Sequence, residues 1–387
     1  MLVVLVFHTD SLVHGRSPAT AGTWISPLLA FVRCSGVAAV DLFFALSSFL
    51  LCLPFIAAAR QQRAPSVRRY FVRRALRILP IYYAFVVLAA AVTAHGWTDL
   101  GHALPYLVFA NAWRGVATPL GWFSDVWWSL ATESQFYLVL PLAAWWCRTR
   151  RGRWLGLLAL SGYVAAYVGW LRGTFAPPLP AQQVAIAYSL FGHGSVFLMG
   201  AAVAWLFDRH GARLAARWHA RAWLRRGGAD ALVLSVIVAV GCVLSWVGWI
   251  GLWWSELPPW HAYHDAMAVL AGLFIALITL APAGLSRYLL STRPLRRLGV
   301  LSYSMYLVHM PVLGYGMQRA RAAFGLPGLV GWNWRTALLV ACLWTLCVLL
   351  AETTYRLIEQ PFLMRKDRLG GHEPSGSASV APSLPST

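Results

Sequence analysis

Runs of about 20 apolar residues, the length a helix needs to span a bilayer, recur along the chain. They lie at roughly 35–58, 76–95, 126–147, 154–171, 186–207, 229–251, 264–283, 298–318 and 336–358. In hydrocarbon each backbone N–H and C=O must find its partner inside the segment, so such runs read as helices. The residues up to His8 read as the end of one more helix whose beginning is missing at Met1. The expected fold is therefore all-α: a polytopic membrane protein of about ten transmembrane helices, the first truncated. Composition agrees, since 59% of the 387 residues are hydrophobic and 12% are charged, about half the charged fraction of a soluble domain. The 21 Trp and 14 Tyr suit many helix ends at a membrane interface.

A net charge of +19 would suit a nucleic-acid partner if it formed a patch, but the basic residues sit in the spacers between apolar runs. The spacers 60–77, 148–153, 209–226, 287–297 and the tail after 360 hold 24 Lys and Arg. The opposite side holds seven: Arg16, Arg33, Arg114, Arg172, Arg319, Arg321 and Arg335. Basic loops stay inside, so both termini are expected in the cytoplasm and the protein in the inner (cytoplasmic) membrane, with lipid and not nucleic acid around it. The six cysteines show neither CxxC pairs nor metal-ligand spacing, so packing is expected of them and no metal of the chain. The opening MLVVLVFHTD is too short for a cleavable signal peptide and lacks its basic n-region. From Gly370 the Ser/Pro/Gly-rich GGHEPSGSASVAPSLPST reads as a disordered tail. No internal repeat stands out, which counts against an inverted-repeat transporter.

An ionisable group in hydrocarbon is costly and persists where it is paired, hydrated or functional. Five places qualify. His8 follows an apolar run; a neutral imidazole suits a general base, while position alone fits equally a helix end meeting interfacial water. Asp41, in GVAAVDLFFALSSFLL, shares a helical face with Ser48 and needs a partner or a cavity; a carboxylate orienting a histidine and a structural ion pair both fit. In RRYFVRRALRILP, Arg73, Arg74 and Arg77 share one face. They suit a phosphate clamp or ordinary positive-inside anchoring. In WWSLATESQFYLVLP, Ser129, Glu133 and Tyr137 form a polar stripe just after Trp128, of the kind that lines an internal site. In LSYSMYLVHMP, Ser302, Tyr306 and His309 share a face, and near the end Glu352, Arg356 and Glu359 do, with Glu352–Arg356 most simply an ion pair.

Taken in order, VVLVFH, VDLFFALSSF, RRALRILP, WSLATESQFY, LSYSMYLVHMP and TYRLIEQPF resemble acyltransferase family 3 of membrane proteins. That family includes polysaccharide O-acetyltransferases and macrolide acyltransferases. The resemblance runs from residue 1 to about 362 and implies one membrane acyltransferase domain over 1–362, with 363–387 as a disordered cytoplasmic tail. The family's first helix carries an Arg, ten residues, then an essential His. His8 matches the His, and the Arg would fall before Met1, which implies a start internal to the reading frame or a truncation. Ser47-Ser48-Phe49 stands where the family usually has Ser-Gly-Phe. Some relatives add an esterase-like domain outside the membrane, whereas this chain ends in a short tail.

The resemblance implies an O-acyltransferase that moves an acyl group, acetyl by family frequency, from cytoplasmic acyl-coenzyme A to a hydroxyl. The acceptor would be a carbohydrate, a glycolipid or a macrolide. Arg73, Arg74 and Arg77 would hold the coenzyme phosphates, and His8 would be the general base, with acyl-histidine as a rival route. Asp41 or Glu133 would orient His8, while Trp128, Tyr137, Tyr306 and His309 would contact substrate. Acyl-coenzyme A enters as donor substrate and not as a bound cofactor. The competing class is a transporter of an acyl or glycan carrier, which would need paired Gly/Pro-broken helices in both halves.

Overall fold

One helix organises the bundle because of the residues along one of its faces. The computed structural model describes residues 1–14, 25–63, 65–94, 96–111, 119–172, 185–250, 258–323 and 332–369, and contains helices and no strand among them. The long helices are α1 (Leu2–His14), α2 (Pro27–Arg60), α3 (Val67–Thr93), α4 (Trp128–Trp146) and α5 (Arg150–Leu171). They continue as α6 (Gly194–Ala220), α7 (Ala229–Trp249), α8 (Pro258–Leu280), α9 (Ser302–Ala323) and α10 (Trp334–Thr354). Short helical pieces fill the connections.

Helix α2 packs against α1, α4, α6, α7 and α8. Its buried stripe runs Ala30, Cys34, Ala38, Asp41, Ala45, Ser48 and Cys52, in steps of three and four residues. Small side chains at that spacing let backbones approach, which is how helices associate where lipid removes the hydrophobic drive between them. At Gly200 of α6 a Cβ would lie 2.2 Å from the Ala45 carbonyl oxygen. Ser48 Oγ donates to the Phe197 carbonyl at 2.6 Å, and Phe44 stacks on Phe197 with centroids 4.8 Å apart. Leu28, Val32, Phe43, Leu46 and Leu50 stay exposed on the remaining surface of α2, as expected of a face turned to lipid.

Among the described residues, six helices are long and apolar enough to cross a membrane: Pro27–Arg60, Val67–Thr93, Arg150–Leu171, Leu224–Trp249, Ala262–Leu280 and Trp334–Arg365. All lie where the sequence places spans. The four other expected positions hold α1, α4, α6 and α9, which fall short of that measure. Helix α1 covers only 13 residues. In α4, Ser129, Thr132, Glu133, Ser134 and Gln135 interrupt the apolar run; the helices richest in candidate site residues are thus among the least lipid-like.

Helix α1 is held by polar bonds. Arg33 Nε donates to Asp10 at 2.9 Å, Arg321 donates to the Leu12 carbonyl at 2.6 Å, and Trp344 Nε1 donates to Thr9 at 2.9 Å. At the far end α10 continues through a π-helical turn, Tyr355–Glu359, into Gln360–Leu369. The helix therefore extends past residue 363, where the sequence reading begins the tail, and 370–387 lie outside the described residues, as do Arg16 and Arg114. Glu352 does pair with Arg356 at 2.5 Å, and Arg297 joins it at 2.5 Å. Glu359 parts from that pair and accepts from Ser304 at 2.8 Å.

The α2–α6 contact yields a prediction. Gly200→Val sets a branched side chain against a backbone carbonyl that cannot turn away, and should destabilise the fold by about 1–3 kcal/mol. Thermal unfolding in detergent should show a lowered midpoint, and an unchanged midpoint would refute the close approach.

Candidate active site

The costly polar groups gather into three clusters at different levels of the bundle. On α2, Asp41 and Ser47 are six residues apart, about 9 Å along the axis.

The first cluster lies beside the arginines of α3. Ser47 Oγ donates to Glu133 Oε1 at 2.5 Å. Tyr137, one turn on along α4, also hydrogen-bonds Glu133, and Arg74 and Arg77 act on that carboxylate electrostatically. Glu133 and Tyr137 are buried, Arg73 and Arg77 are exposed, and Arg74 is half-buried. The Nε of Arg74 is buried with no hydrogen-bond partner. A guanidinium N–H in that condition is costly and ready for an anion.

The second cluster joins α1, α4 and α9. The His8 and His309 rings lie 5.2 Å apart, and the Tyr306 ring lies 5.7 Å from His309. His309 Nδ1 is 2.8 Å from the Tyr306 carbonyl, so that nitrogen carries the proton and donates. Its Nε2, buried and unpartnered, is then the acceptor in the neutral ring. The Tyr306 hydroxyl donates to the Val126 carbonyl. Having one proton, it accepts at 2.5 Å from Ser129 Oγ, whose own reach to the Val126 carbonyl is longer at 3.3 Å, and the shorter contacts make a Ser129–Tyr306–Val126 chain. Pro311, inside α9, follows His309 by two residues.

The third cluster was missed in the sequence. Asp41 faces His264 of α8, whose Nδ1 lies 2.8 and 2.9 Å from the two carboxylate oxygens. The ring of His193, just ahead of α6, lies 4.4 Å from that of His264. Trp128 packs on His193 at 5.5 Å, and Phe44 does so at 5.3 Å. The segment before α6 is fastened to α4: Thr132 donates to the Tyr188 carbonyl at 2.5 Å, and Gln135 accepts from the Leu190 N–H at 2.8 Å. His264 carries the same signal as Asp41, an ionisable group within an apolar run, and that argument applied evenly would have found it. His193, inside the run 186–207, carries that signal too.

The structure thus brings His8 to His309, Tyr306 to Ser129, and Glu133 to Tyr137. It does not join either carboxylate to His8: the hydrogen bonds of Asp41 go to His264 and those of Glu133 to Ser47 and Tyr137. Trp128 lines the third cluster, while its neighbour Ser129 belongs to the second.

Residues 1–351 match the model of a family described as an acyltransferase domain. The chain is 23% identical to peptidoglycan O-acetyltransferase OatA of Listeria monocytogenes over 348 residues, 84% of this chain and 51% of that protein. It is 27% identical to the putative peptidoglycan O-acetyltransferase YrhL of Bacillus subtilis, over 84% of this chain and 50% of that one. With nodulation protein 10 of Rhizobium leguminosarum bv. viciae it shares 27% identity over 95% of this chain and 91% of that protein. The chain spans about half the length of the first two relatives. No solved structure matches it.

The hydroxyl chain at the second cluster orders two substitutions. Tyr306→Phe removes the donor to Val126 and the acceptor for Ser129, and should cost about 1–2 kcal/mol. Ser129→Ala leaves the Tyr306–Val126 bond in place and should cost less. Equal losses on thermal unfolding would contradict the assigned direction of these bonds.

Proposed function

This chain belongs to acyltransferase family 3, and on that premise we propose that it transfers an acyl group, acetyl foremost, from cytoplasmic acyl-coenzyme A to a carbohydrate or glycolipid hydroxyl. The observation that carries the reading is the His8–His309 pair, half-buried His8 against buried His309, with α9, which carries His309, packed on the helix α3 of the arginine cluster. The relatives named as peptidoglycan O-acetyltransferases support a carbohydrate acceptor. The polytopic fold and the basic loops support residence in the inner membrane, with both termini and the α3 arginines facing the cytoplasm.

Arg74, with its unsatisfied Nε, and its neighbours Arg73 and Arg77 would bind the coenzyme phosphates. The thioester would then lie along the stripe of Tyr137, Glu133 and Ser129. His8 takes the proton of the acceptor hydroxyl as its oxygen attacks the thioester carbonyl. The carbon–sulfur bond breaks, and coenzyme A leaves as the thiol after receiving a proton from the imidazolium. His309 offers Nε2 to the same space, because its Nδ1 proton is committed to the Tyr306 carbonyl. Glu133 serves as counter-charge to Arg74 and Arg77, positioning the donor rather than the base. Asp41 acts through His264.

Thiol release from acetyl-coenzyme A, with a panel of hydroxyl acceptors and protein in detergent, tests this. His8→Ala should lower kcat by about 100-fold or more. Arg74→Ala should raise the KM for acetyl-coenzyme A about tenfold, the loss of one charge-assisted bond, with kcat little changed. Transfer by His8→Ala at the wild-type rate would remove the proposed base. A protein that moves its substrate without acceptor-dependent thiol release would be a transporter.

A further inference from the structure

Asp41, His193 and His264 come from three separate parts of the chain and converge in a closed space. Asp41 and His193 are 0% exposed and His264 is 5% exposed. One ligand atom from each lies within 4.8 Å of the others. Asp41 and His264 stand 223 residues apart in sequence, which is why no local spacing betrays the group.

A hydrogen-bonded pair accounts for two of the three. The carboxylate accepts from His264 Nδ1, and each side of that bond is satisfied. It leaves His193. That ring has the Ser189 carbonyl 3.4 Å from Nδ1 and the Ala187 carbonyl nearby. Its Nε2 is buried with no hydrogen-bond partner. An orphaned buried nitrogen is costly, and the pair offers it nothing, since the ring beside it is another imidazole.

We propose that Asp41, His193 and His264 bind a divalent first-row transition-metal ion, with zinc the best fit. Two imidazoles and a carboxylate form a borderline donor set that suits zinc, cobalt, iron or manganese and not calcium or magnesium, which take oxygen ligands. Metal bonds of about 2.0–2.2 Å in a tetrahedron hold neighbouring ligand atoms roughly 3.3 Å apart. To admit the ion the His264 proton would move from Nδ1 to Nε2, the Asp41–His264 contact would open by about half an ångström, and His193 would close in by about 1.5 Å at most. Side-chain rotation covers both displacements. The fourth position stays open to water or to a hydroxyl.

The surroundings suit a cation. Asp265, next in sequence to His264, accepts from the Tyr167 hydroxyl at 3.3 Å and adds negative field. The Tyr263 ring lies 4.1 Å from that of His264, and Phe44 and Trp128 close off His193. His193 immediately precedes α6 and His264 lies in the second turn of α8, so the route from the helix ends is short. Bound there, the ion would tie α2, α6 and α8 together, and its binding energy would become packing energy.

The test needs no assay of transfer, so its result is independent of the proposed reaction. The full chain, freed of any affinity tag, is purified in detergent, incubated with zinc, cobalt, iron or manganese ions in turn, desalted, and measured by plasma mass spectrometry. The wild type should retain about one equivalent of ion. Asp41→Ala, His193→Ala and His264→Ala should each retain less than roughly a tenth of that, and Cys147→Ser should match the wild type. Cobalt-loaded wild type should show visible d–d absorption without sulfur-to-metal charge transfer, and a chelator should lower its unfolding midpoint. If the alanine variants fail to fold, these two wild-type measurements decide. Failure of the wild type to retain any of the four ions, retention undiminished in the variants, or cobalt loading without the absorption would overturn the proposal. An Asp–His hydrogen-bonded pair would then be all that the cluster is.

Discussion

The small-residue stripe on α2 is the constraint on which the rest depends. Helices in lipid gain nothing by hiding apolar surface from one another, so association rests on close packing and on polar bonds across the gap. Ala30, Cys34, Ala38 and Ala45 supply the closeness. Asp41 and Ser48, on the same stripe, supply the bonds. Gly200 completes the approach from α6. A carboxylate amid such packing cannot be left to water, and its burial obliges α8 to present His264. The helix that closes the fold therefore also carries chemistry, and the family's usual Ser-Gly-Phe becomes Ser47-Ser48-Phe49 at the point of contact, with the Ser48 hydroxyl used on the Phe197 carbonyl.

Most of the architecture was legible in the sequence because its cause is local. A run of apolar residues, an Arg-rich spacer and an internal carboxylate each report on their own segment. The polar stripe Ser129–Glu133–Tyr137 is buried as its period implies, and the Glu352–Arg356 pair forms at the distance that one helical turn allows. What could not be read was which face meets which. Helical periodicity says that Asp41, Ser48 and Glu133 face inward, and it is silent on the partner. Only the fold shows that Glu133 takes Ser47, that Asp41 takes His264, and that neither takes His8. The π-helical turn at Tyr355–Glu359 is a second case: it turns Glu359 away from Glu352 and toward Ser304, where an ideal helix would keep the two acids on one face, about two turns apart.

The three clusters divide the polar load of the bundle by charge. Beside α3, guanidinium groups outnumber the single carboxylate, and an anion is the missing partner. At His8 and His309 two imidazoles face one another, which suits a station that takes up and returns one proton. Around Asp41 one carboxylate meets two imidazoles, with Asp265 held nearby by Tyr167, and a cation is the missing partner. Each cluster is thus deficient in a different species, and a binding or reacting group is drawn to a different level by the sign of what is already there.

The first turn of α4 links two of these levels. Successive residues of a helix point about 100° apart, so Trp128 and Ser129 serve different neighbours. Trp128 lies against His193 and Phe44, and Ser129 donates to the Tyr306 hydroxyl beside His309. One turn along, Thr132 holds the segment that carries His193, and Glu133 holds Ser47. A packed helix moves as a unit, because its neighbours leave it no room to flex residue by residue. A shift of α4 by a fraction of an ångström therefore changes the His193 wall, the Tyr306 hydroxyl chain and the Glu133–arginine cluster together. The Glu133–arginine cluster, the Tyr306 hydroxyl chain beside His309 and the His193 wall are in this sense mounted on one rod, and geometry set at one of them is set at all three.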